Sequence, residues 1–434
     1  MTQPHRPWRR ALAWLALLAP FFYASYGLAN QLALRRAAVP SVVFEWEHQI
    51  PFWDWTIFPY WSLNAFYGLS LLLARSRHEL DRHALRLLTA QVVAVACFIL
   101  WPLHFSFGQP AADGAAGLLF AALRGFDQPY NQAPSLHITL VVILWDLYRR
   151  LVHGRIARLV LHGWALAICA SVLTTWQHHF IDLPTGAALG LLCVWAWPLE
   201  RRVSMRQAWR LAADPRRRLL ALRYAAGALA LAGSALALGG TGLWLLWPAL
   251  SALLVALNYA GFGARGFQMD RQGCMAWPAR VLLAPYRLAA QANGRLWTRH
   301  GAALHEVLPG VAVGSLSRLQ PHGPRRTLVS LCAELQAPAR ADCLCLPWLD
   351  LVPATPAALR RAAATIDRAV QRGDPVVVGC ALGVSRSVAA LACWLARSGR
   401  VHDVDGALAL LRRAHPRMVL GAGWLTALQQ ATRP

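Results

Sequence analysis

Cys380 and Arg386 stand six residues apart in GCALGVSRSVAALACWLAR, between the apolar run PVVVGC and a stretch of helical periodicity that starts near Ser387. A short loop between a strand and a helix N-terminus turns backbone N–H groups inward and adds the positive end of a helix dipole. That makes a cradle for a phosphate group. In such a cradle Cys380 is a candidate nucleophile. A free thiol ionises near pH 8.5, so attack at neutral pH needs about two or three units of depression, which N–H donors and Arg386 would supply. Arg386 would grip two phosphate oxygens, Gly383 would allow the tight turn, Ser385 completes the phosphate-binding loop, and the Ser387 hydroxyl would help the thiolate depart.

A second group of reactive residues lies far upstream. PSLH (residues 134–137) carries His137, and TTWQHHFIDLPTG carries His178, His179 and Asp182. His178 and Asp182 are four residues apart, so one turn of chain would put a carboxylate beside an imidazole, fixing its tautomer and stabilising its cation. A nucleophilic histidine has that requirement. A single histidine at a helix end is ordinarily an interfacial residue, but ionisable groups at membrane depth are costly and mark functional sites.

The elements that position these residues are mostly apolar. The chain has 434 residues, 57% of them hydrophobic and 15% charged, with 20 Trp. That is well below the charge content of a soluble domain, about a quarter. Eight segments read as spanning helices, near 11–30, 52–74, 86–105, 134–148, 158–176, 184–199, 221–239 and 243–260. The first could instead be a signal peptide, but it lacks a clear small-residue cleavage site. The net charge of +23 comes entirely from Arg, since the chain has no Lys, and Arg flanks the apolar runs. The charge therefore reads as membrane topology and not as a nucleic-acid surface.

Arg6, Arg9 and Arg10, then Arg75, Arg77, Arg82 and Arg86, then Arg149, Arg150, Arg155 and Arg158, and finally Arg201, Arg202, Arg206, Arg210, Arg216, Arg217 and Arg218 mark inner segments. The alternate loops are poor in Arg: 31–51 has Arg35 and Arg36 beside Glu45 and Glu47, and 106–133 has only Arg124. Both termini are thus expected in the cytoplasm, with His137 and His178 at the outer face. The Ala, Leu, Arg and Trp bias suggests a GC-rich bacterial genome, and hence an inner membrane. The nine Cys all fall in apolar runs or in the C-terminal third, which argues against a disulfide framework.

Residues 261–300 form a basic, Trp-containing stretch, either lying along the lipid surface or acting as a simple linker helix. From His305 onward VLPGVAVGS, RTLVSLCAEL, DCLCLPWLDL, a helix near 356–371 and PVVVGC read as an α/β domain over 301–434. The expected fold class is a polytopic α-helical membrane domain (1–260, about eight spans) followed by a cytoplasmic α/β domain.

Two resemblances sharpen this reading. The segment 305–430 resembles the dual-specificity branch of the protein tyrosine phosphatases in its Cys, five residues, then Arg-Ser. It is also similar in VLPGVAVGS and in HPRMVLGAGWLTAL. The resemblance implies a phosphocysteine mechanism without cofactor or metal, with Asp350 in LPWLDLVP, thirty residues before Cys380, as general acid. Gly379 stands where most members have His. Residues of about 50–200 resemble the type 2 phosphatidic acid phosphatase superfamily, especially its branch near inositol phosphorylceramide synthases. By that resemblance His178 attacks phosphorus, Asp182 orients it, and His137 protonates the leaving oxygen. This sequence has His104 and Gln109-Pro110 in the region of the first motif, and Ser171-Val172 in place of Ser-Arg. The site is short of cations for a phosphate dianion. Arg124, His104 and His179 would stand in, or the substrate is a less charged phosphodiester, or this half no longer catalyses.

The expected partners are membrane lipids and a phosphorylated lipid or phosphoprotein substrate, since the C-terminal domain is tethered at the bilayer. An outer lipid phosphotransferase joined to an inner phosphatase, and a non-catalytic phosphate-sensing membrane protein, are the alternatives. Oligomeric state has no signature in this sequence.

Overall fold

The computed structural model describes residues 6–200, 205–319, 326–338 and 342–433. Arg201 and Arg202, counted above for topology, lie outside the described residues. The chain forms two compact units, Met1–Gln207 and Ala208–Pro434. The helical pair at 215–267 thus groups with the C-terminal residues.

The first unit is helical: α1 (Trp8–Leu34), α2 (Ile57–Leu72), α3 (Arg77–Leu100), α4 (Gly114–Arg124), α5 (Leu136–Leu151), α6 (Arg155–Thr174), α7 (Asp182–Ala196) and the short α8 (Met205–Ala208), which runs across the division. Of these, α1, α3 and α6 are long and apolar enough to cross a membrane. Helices α2, α5 and α7 have 16, 16 and 15 residues. At 1.5 Å per residue that is about 22–24 Å, short of a hydrocarbon core of about 30 Å. Helices α5 and α7 are short for a visible reason: each begins only where a polar cluster ends, α5 just after Ser135 and α7 at Asp182.

Helices α5 and α7 approach closely. A Cβ on Gly186 would lie 2.5 Å from the Ser135 carbonyl oxygen, and one on Gly190 would lie 2.7 Å from the Val142 Cβ. The Thr139 hydroxyl donates to the Gly186 carbonyl at 2.9 Å across the same seam. Small residues let helices meet this way where water supplies no driving force. At the other end of α5 the fully buried pair Arg86–Asp146 closes at 2.9 Å, and Arg149 joins Asp146 at 2.7 Å. A buried carboxylate persists in an apolar bundle only when paired in this way.

The second unit starts with α9 (Pro215–Leu238), whose Asp214 cap accepts from the Arg216 N–H at 2.9 Å. The chain turns at Gly239, which has φ +58°, and returns through the apolar run Gly240–Phe267, whose α-helical part is α10 (Leu246–Leu257). Both arms are long and apolar enough to cross a membrane, which makes five such helices among the described residues. The basic stretch that follows holds α11 (Trp277–Leu282) and α12 (Ala284–Thr298).

The rest is a five-stranded sheet with helices: β1 (Leu304–Leu308), β2 (Val311–Ser315), β3 (Thr327–Cys332), β4 (Asp342–Trp348), α13 (Pro356–Gln371), β5 (Val376–Cys380), α14 (Arg386–Arg397), α15 (Val404–Ala414) and α16 (Ala422–Thr432). The strand order is β1-β2-β5-β3-β4, parallel except for the β1–β2 hairpin. Strands β3 and β5 are buried along their whole length, as central parallel strands must be. Val329, Leu331 and Val378 pack with Ile366, Leu391 and Leu411 in the core under α13, α14 and α15. The edge strand β4 meets the juxtamembrane chain, where the Cys345 N–H donates to the Arg271 carbonyl at 2.9 Å.

Candidate active sites

Ligands gather beyond the carboxyl ends of parallel strands, and here β5 ends at Cys380 beside the ends of β2 and β3. The loop 381–385 then turns directly into α14. The Gly383 N–H donates to Cys380 Sγ at 3.2 Å, and the Ser387 hydroxyl lies 3.4 Å from the same sulfur. Gly383 has φ +79°, and a Cβ there would meet the Gly314 backbone at 2.8 Å, so only glycine fits. Ser385 precedes α14 and makes no side-chain cap. The Ala381 carbonyl is tied down by the Ser315 hydroxyl, the Ser317 hydroxyl and the Ser317 N–H at 2.8, 2.8 and 3.2 Å.

Arg386 is buried beneath this loop. It forks onto Glu334 at 2.5 and 2.9 Å, donates to the Trp348 carbonyl at 3.0 Å and meets the Asp350 carboxylate at 3.0 Å. Its Nε is buried without a partner, a donor left for an anion's oxygen. Burial works against the Arg386 cation, but Glu334 and Asp350 outweigh it and hold it charged. Burial likewise opposes the Glu334 carboxylate, yet Arg386 keeps its pKa below the ordinary glutamate value. Asp350 goes the other way: burial raises it, Glu334 raises it further, and Arg386 only partly offsets them. Cys380, Arg386, Ser387 and Asp350 are thus brought together, with Glu334 as a member that sequence reading missed. Its signal was position: it follows the fully buried β3 at the sheet edge where β5 delivers Cys380.

Gly379 has a packing explanation. It pairs with Gly314 across β2 and β5, and a Cβ on it would lie 2.5 Å from Leu316 Cδ1 and 3.3 Å from Leu328 Cδ1. Two leucines occupy the space a larger residue would need.

In the first unit, His178 Nδ1 lies 3.0 Å from Asp182 Oδ2, and the His179 N–H donates to the same oxygen at 3.1 Å. An ionised carboxylate only accepts, so His178 donates from Nδ1 to Asp182. The turn that presents His178 is held by the Val172 carbonyl, which accepts from the Gln177 and His178 N–H groups at 3.2 and 3.1 Å. His137 stacks on Tyr60 at 3.9 Å, its Nε2 is buried without a partner, and it lies within electrostatic reach of His178.

The expected stand-in cations behave differently from one another. His179 is fully committed: Nδ1 donates to Glu47 at 3.0 Å and Nε2 accepts from the Ser106 N–H at 3.1 Å, so this histidine clamps two loops and is not a phosphate ligand. His104 packs on Tyr130 at 5.4 Å, and its main chain bonds to Pro40 and Ser41. Arg124 reaches Gln109 at 3.5 Å, and Gln109 donates to the Thr175 carbonyl at 2.8 Å. The Val172 side chain is wholly buried among Ile57, Tyr60 and Ile138, an apolar cluster that excludes a guanidinium.

Two carboxylates here were not expected as site residues. Burial opposes the Glu47 charge, but His179 and the Phe44 and Phe180 N–H groups hold its pKa below normal. Asp127 accepts from the Tyr26 hydroxyl at 2.9 Å. Burial pushes its carboxyl up to about 6, although Tyr26 and the nearby His178 pull it down.

No family model and no curated protein matches this chain. Parts of it are similar to solved structures. A human tyrosine phosphatase-like serine/threonine/tyrosine-interacting protein is 20% identical over 29% of this chain and 93% of its own, with a TM-score of 0.26. A mouse putative dual specificity phosphatase complexed with zinc tungstate is 24% identical over 30% and 86%, with a TM-score of 0.27. PTPMT1 in complex with PI(5)P is 15% identical over 30% and 95%, with a TM-score of 0.26.

Proposed function

We propose that this chain is a membrane-bound phosphatase whose inner site hydrolyses phosphomonoesters through a phosphocysteine. The observation that carries the reading is the Cys380 loop, in which the thiol accepts a main-chain N–H at 3.2 Å above a buried Arg386 with a free Nε. The Cys380 thiolate attacks phosphorus, the S–P bond forms as the ester P–O bond breaks, and Asp350 gives its proton to the departing oxygen. Water then attacks the phosphocysteine, Asp350 takes its proton, and the sulfur leaves as a thiolate supported by Ser387. Phosphate is released and the enzyme regenerated. Loop N–H groups and Arg386 stabilise the charge that builds on the equatorial oxygens.

The outer site is a second phosphate-transfer centre, supported by the 3.0 Å contact of His178 with Asp182. His178 Nε2 attacks phosphorus as the bond to the leaving oxygen breaks, His137 protonates that oxygen, and water then attacks the phosphohistidine and carries the phosphoryl group away, with Arg124 and His104 as the groups that stand in for the missing arginines. Eight spans, cytoplasmic termini and a bacterial inner membrane complete the reading.

Purified full chain should turn over an aryl phosphate in the presence of a chelator, and Cys380→Ser should abolish that turnover while still binding vanadate. Undiminished turnover by Cys380→Ser, or an absolute need for a divalent ion, refutes the cysteine mechanism.

A further inference from the structure

The general-acid loop of the inner site is built onto the base of the α9–α10 hairpin. Tyr259, in the π-helical turn Asn258–Phe262 that follows α10 and wholly buried, donates its hydroxyl to the Asp350 main-chain carbonyl at 3.0 Å. Tyr259 stacks on Tyr224 of α9 at 5.6 Å, and Tyr224 meets Tyr286 of α12 edge-on at 5.8 Å.

These tyrosines also mark a depth. Tyr224 follows Arg223, the last cation of α9, and the rest of that helix runs through Leu229, Leu236 and Leu238, all more than 70% exposed. Tyr259 lies in the last third of the returning apolar run Gly240–Phe267, shortly before Arg265, its first cation, and next to Asn258, whose carbonyl accepts from Arg217 at 3.4 Å. Aromatic residues between an apolar run and a set of arginines sit at the headgroup level of a bilayer. Asp350 is one hydrogen bond from that level.

We propose that the phosphomonoester taken by Cys380 is carried on a membrane lipid, with its phosphate at headgroup depth beside the hairpin base. The proposal rests on the phosphocysteine reading and adds the substrate class. The tyrosines bring the acid to the height at which lipid phosphates already lie. A phosphorylated protein side chain would have to be drawn into the headgroup layer to reach the same place.

The test uses full-length protein in phosphatidylcholine vesicles. Phosphatidic acid in the bilayer, a soluble tyrosine phosphopeptide and an aryl phosphate are compared, each taken as the turnover that Cys380→Ser removes. Phosphatidic acid should exceed the phosphopeptide in kcat/KM by at least about tenfold, because substrate and site share one surface. Its rate should also fall when it is diluted with phosphatidylcholine at constant bulk concentration. Equal or better use of the phosphopeptide, with the aryl phosphate still hydrolysed, overturns the lipid assignment and leaves the cysteine mechanism standing. Loss of no aryl phosphate activity in Cys380→Ser overturns both.

Discussion

The Tyr259 hydroxyl donates to the Asp350 carbonyl at 3.0 Å, so a residue of the returning apolar run Gly240–Phe267 holds the main chain of the proposed general acid. Tyr259→Phe removes one hydrogen bond and little else, a change of about 0.5–1.5 kcal/mol. Hydrolysis of an alkyl phosphate should slow several-fold, and that of a nitrophenyl phosphate should hardly change. An equal loss on both substrates would assign Tyr259 to general packing of the unit.

Glu334 fixes the Arg386 fork from below. Hydrogen bonds to charged groups are worth about 1.5–3 kcal/mol, so Glu334→Gln should weaken inhibition by inorganic phosphate by roughly tenfold or more. Because its pKa lies below the unfolded value, Glu334 contributes stability above the ordinary glutamate range and loses it as pH falls through its own lower pKa. Thermal unfolding followed from neutral to acid pH should show wild type losing stability there and the variant losing less. Unchanged phosphate inhibition would mean that the loop N–H donors position the anion without this pair.

Asp350 must be protonated to act as an acid, and burial raises its pKa. The kcat for alkyl phosphates should therefore hold to higher pH than an ordinary aspartate would allow, then fall as pH rises through that raised pKa. Asp350→Asn should remove the basic limb and cost about 10²–10⁴-fold on alkyl esters, with far less on activated aryl esters. A limb that persists in the variant belongs to another group.

The proposed outer site has His178 as its nucleophile and Asp182 as its orienting acid, while Val172 is packed in an apolar cluster and His179 is engaged by Glu47 and Ser106. Each missing charge-assisted bond to a dianion forfeits about 1.5–3 kcal/mol. In a Cys380→Ser background in proteoliposomes, a lipid phosphodiester or pyrophosphate should be used in preference to phosphatidic acid, and His178→Ala should remove that activity. Preference for phosphatidic acid would defeat the selectivity argument.

What sequence could and could not reveal follows from distance along the chain. Cys380, Gly383, Arg386 and Ser387 share one loop, and His178 and Asp182 share one turn, so their neighbourhoods were readable from spacing. Glu334 reaches Arg386 only because β3 lies beside β5, and Glu47 reaches His179 across more than a hundred residues. Neither pairing leaves a local pattern. Val172 and Gly379 looked like lost functional residues. In the fold each is occupied by packing, the one among Ile57, Tyr60 and Ile138, the other between Leu316 and Leu328. Three of the eight apolar segments hold the shorter helices α2, α5 and α7, of 16, 16 and 15 residues, and α5 and α7 carry His137 and Asp182 in their first turns.

The bond from Cys345 to the Arg271 carbonyl, together with that from Ala337 to the Gly273 carbonyl, lays the juxtamembrane chain against β4, the last strand of the sheet. A bare last strand is a template on which a second copy can add its own, the start of ordered aggregation. A fragment beginning near residue 301 would strip that cover and should turn to sticky, β-rich assemblies as its concentration rises. One beginning at Ala208 and kept in lipid would retain it. The stretch that looks like a tether is, for the folded sheet, its guard against sticking to its own kind.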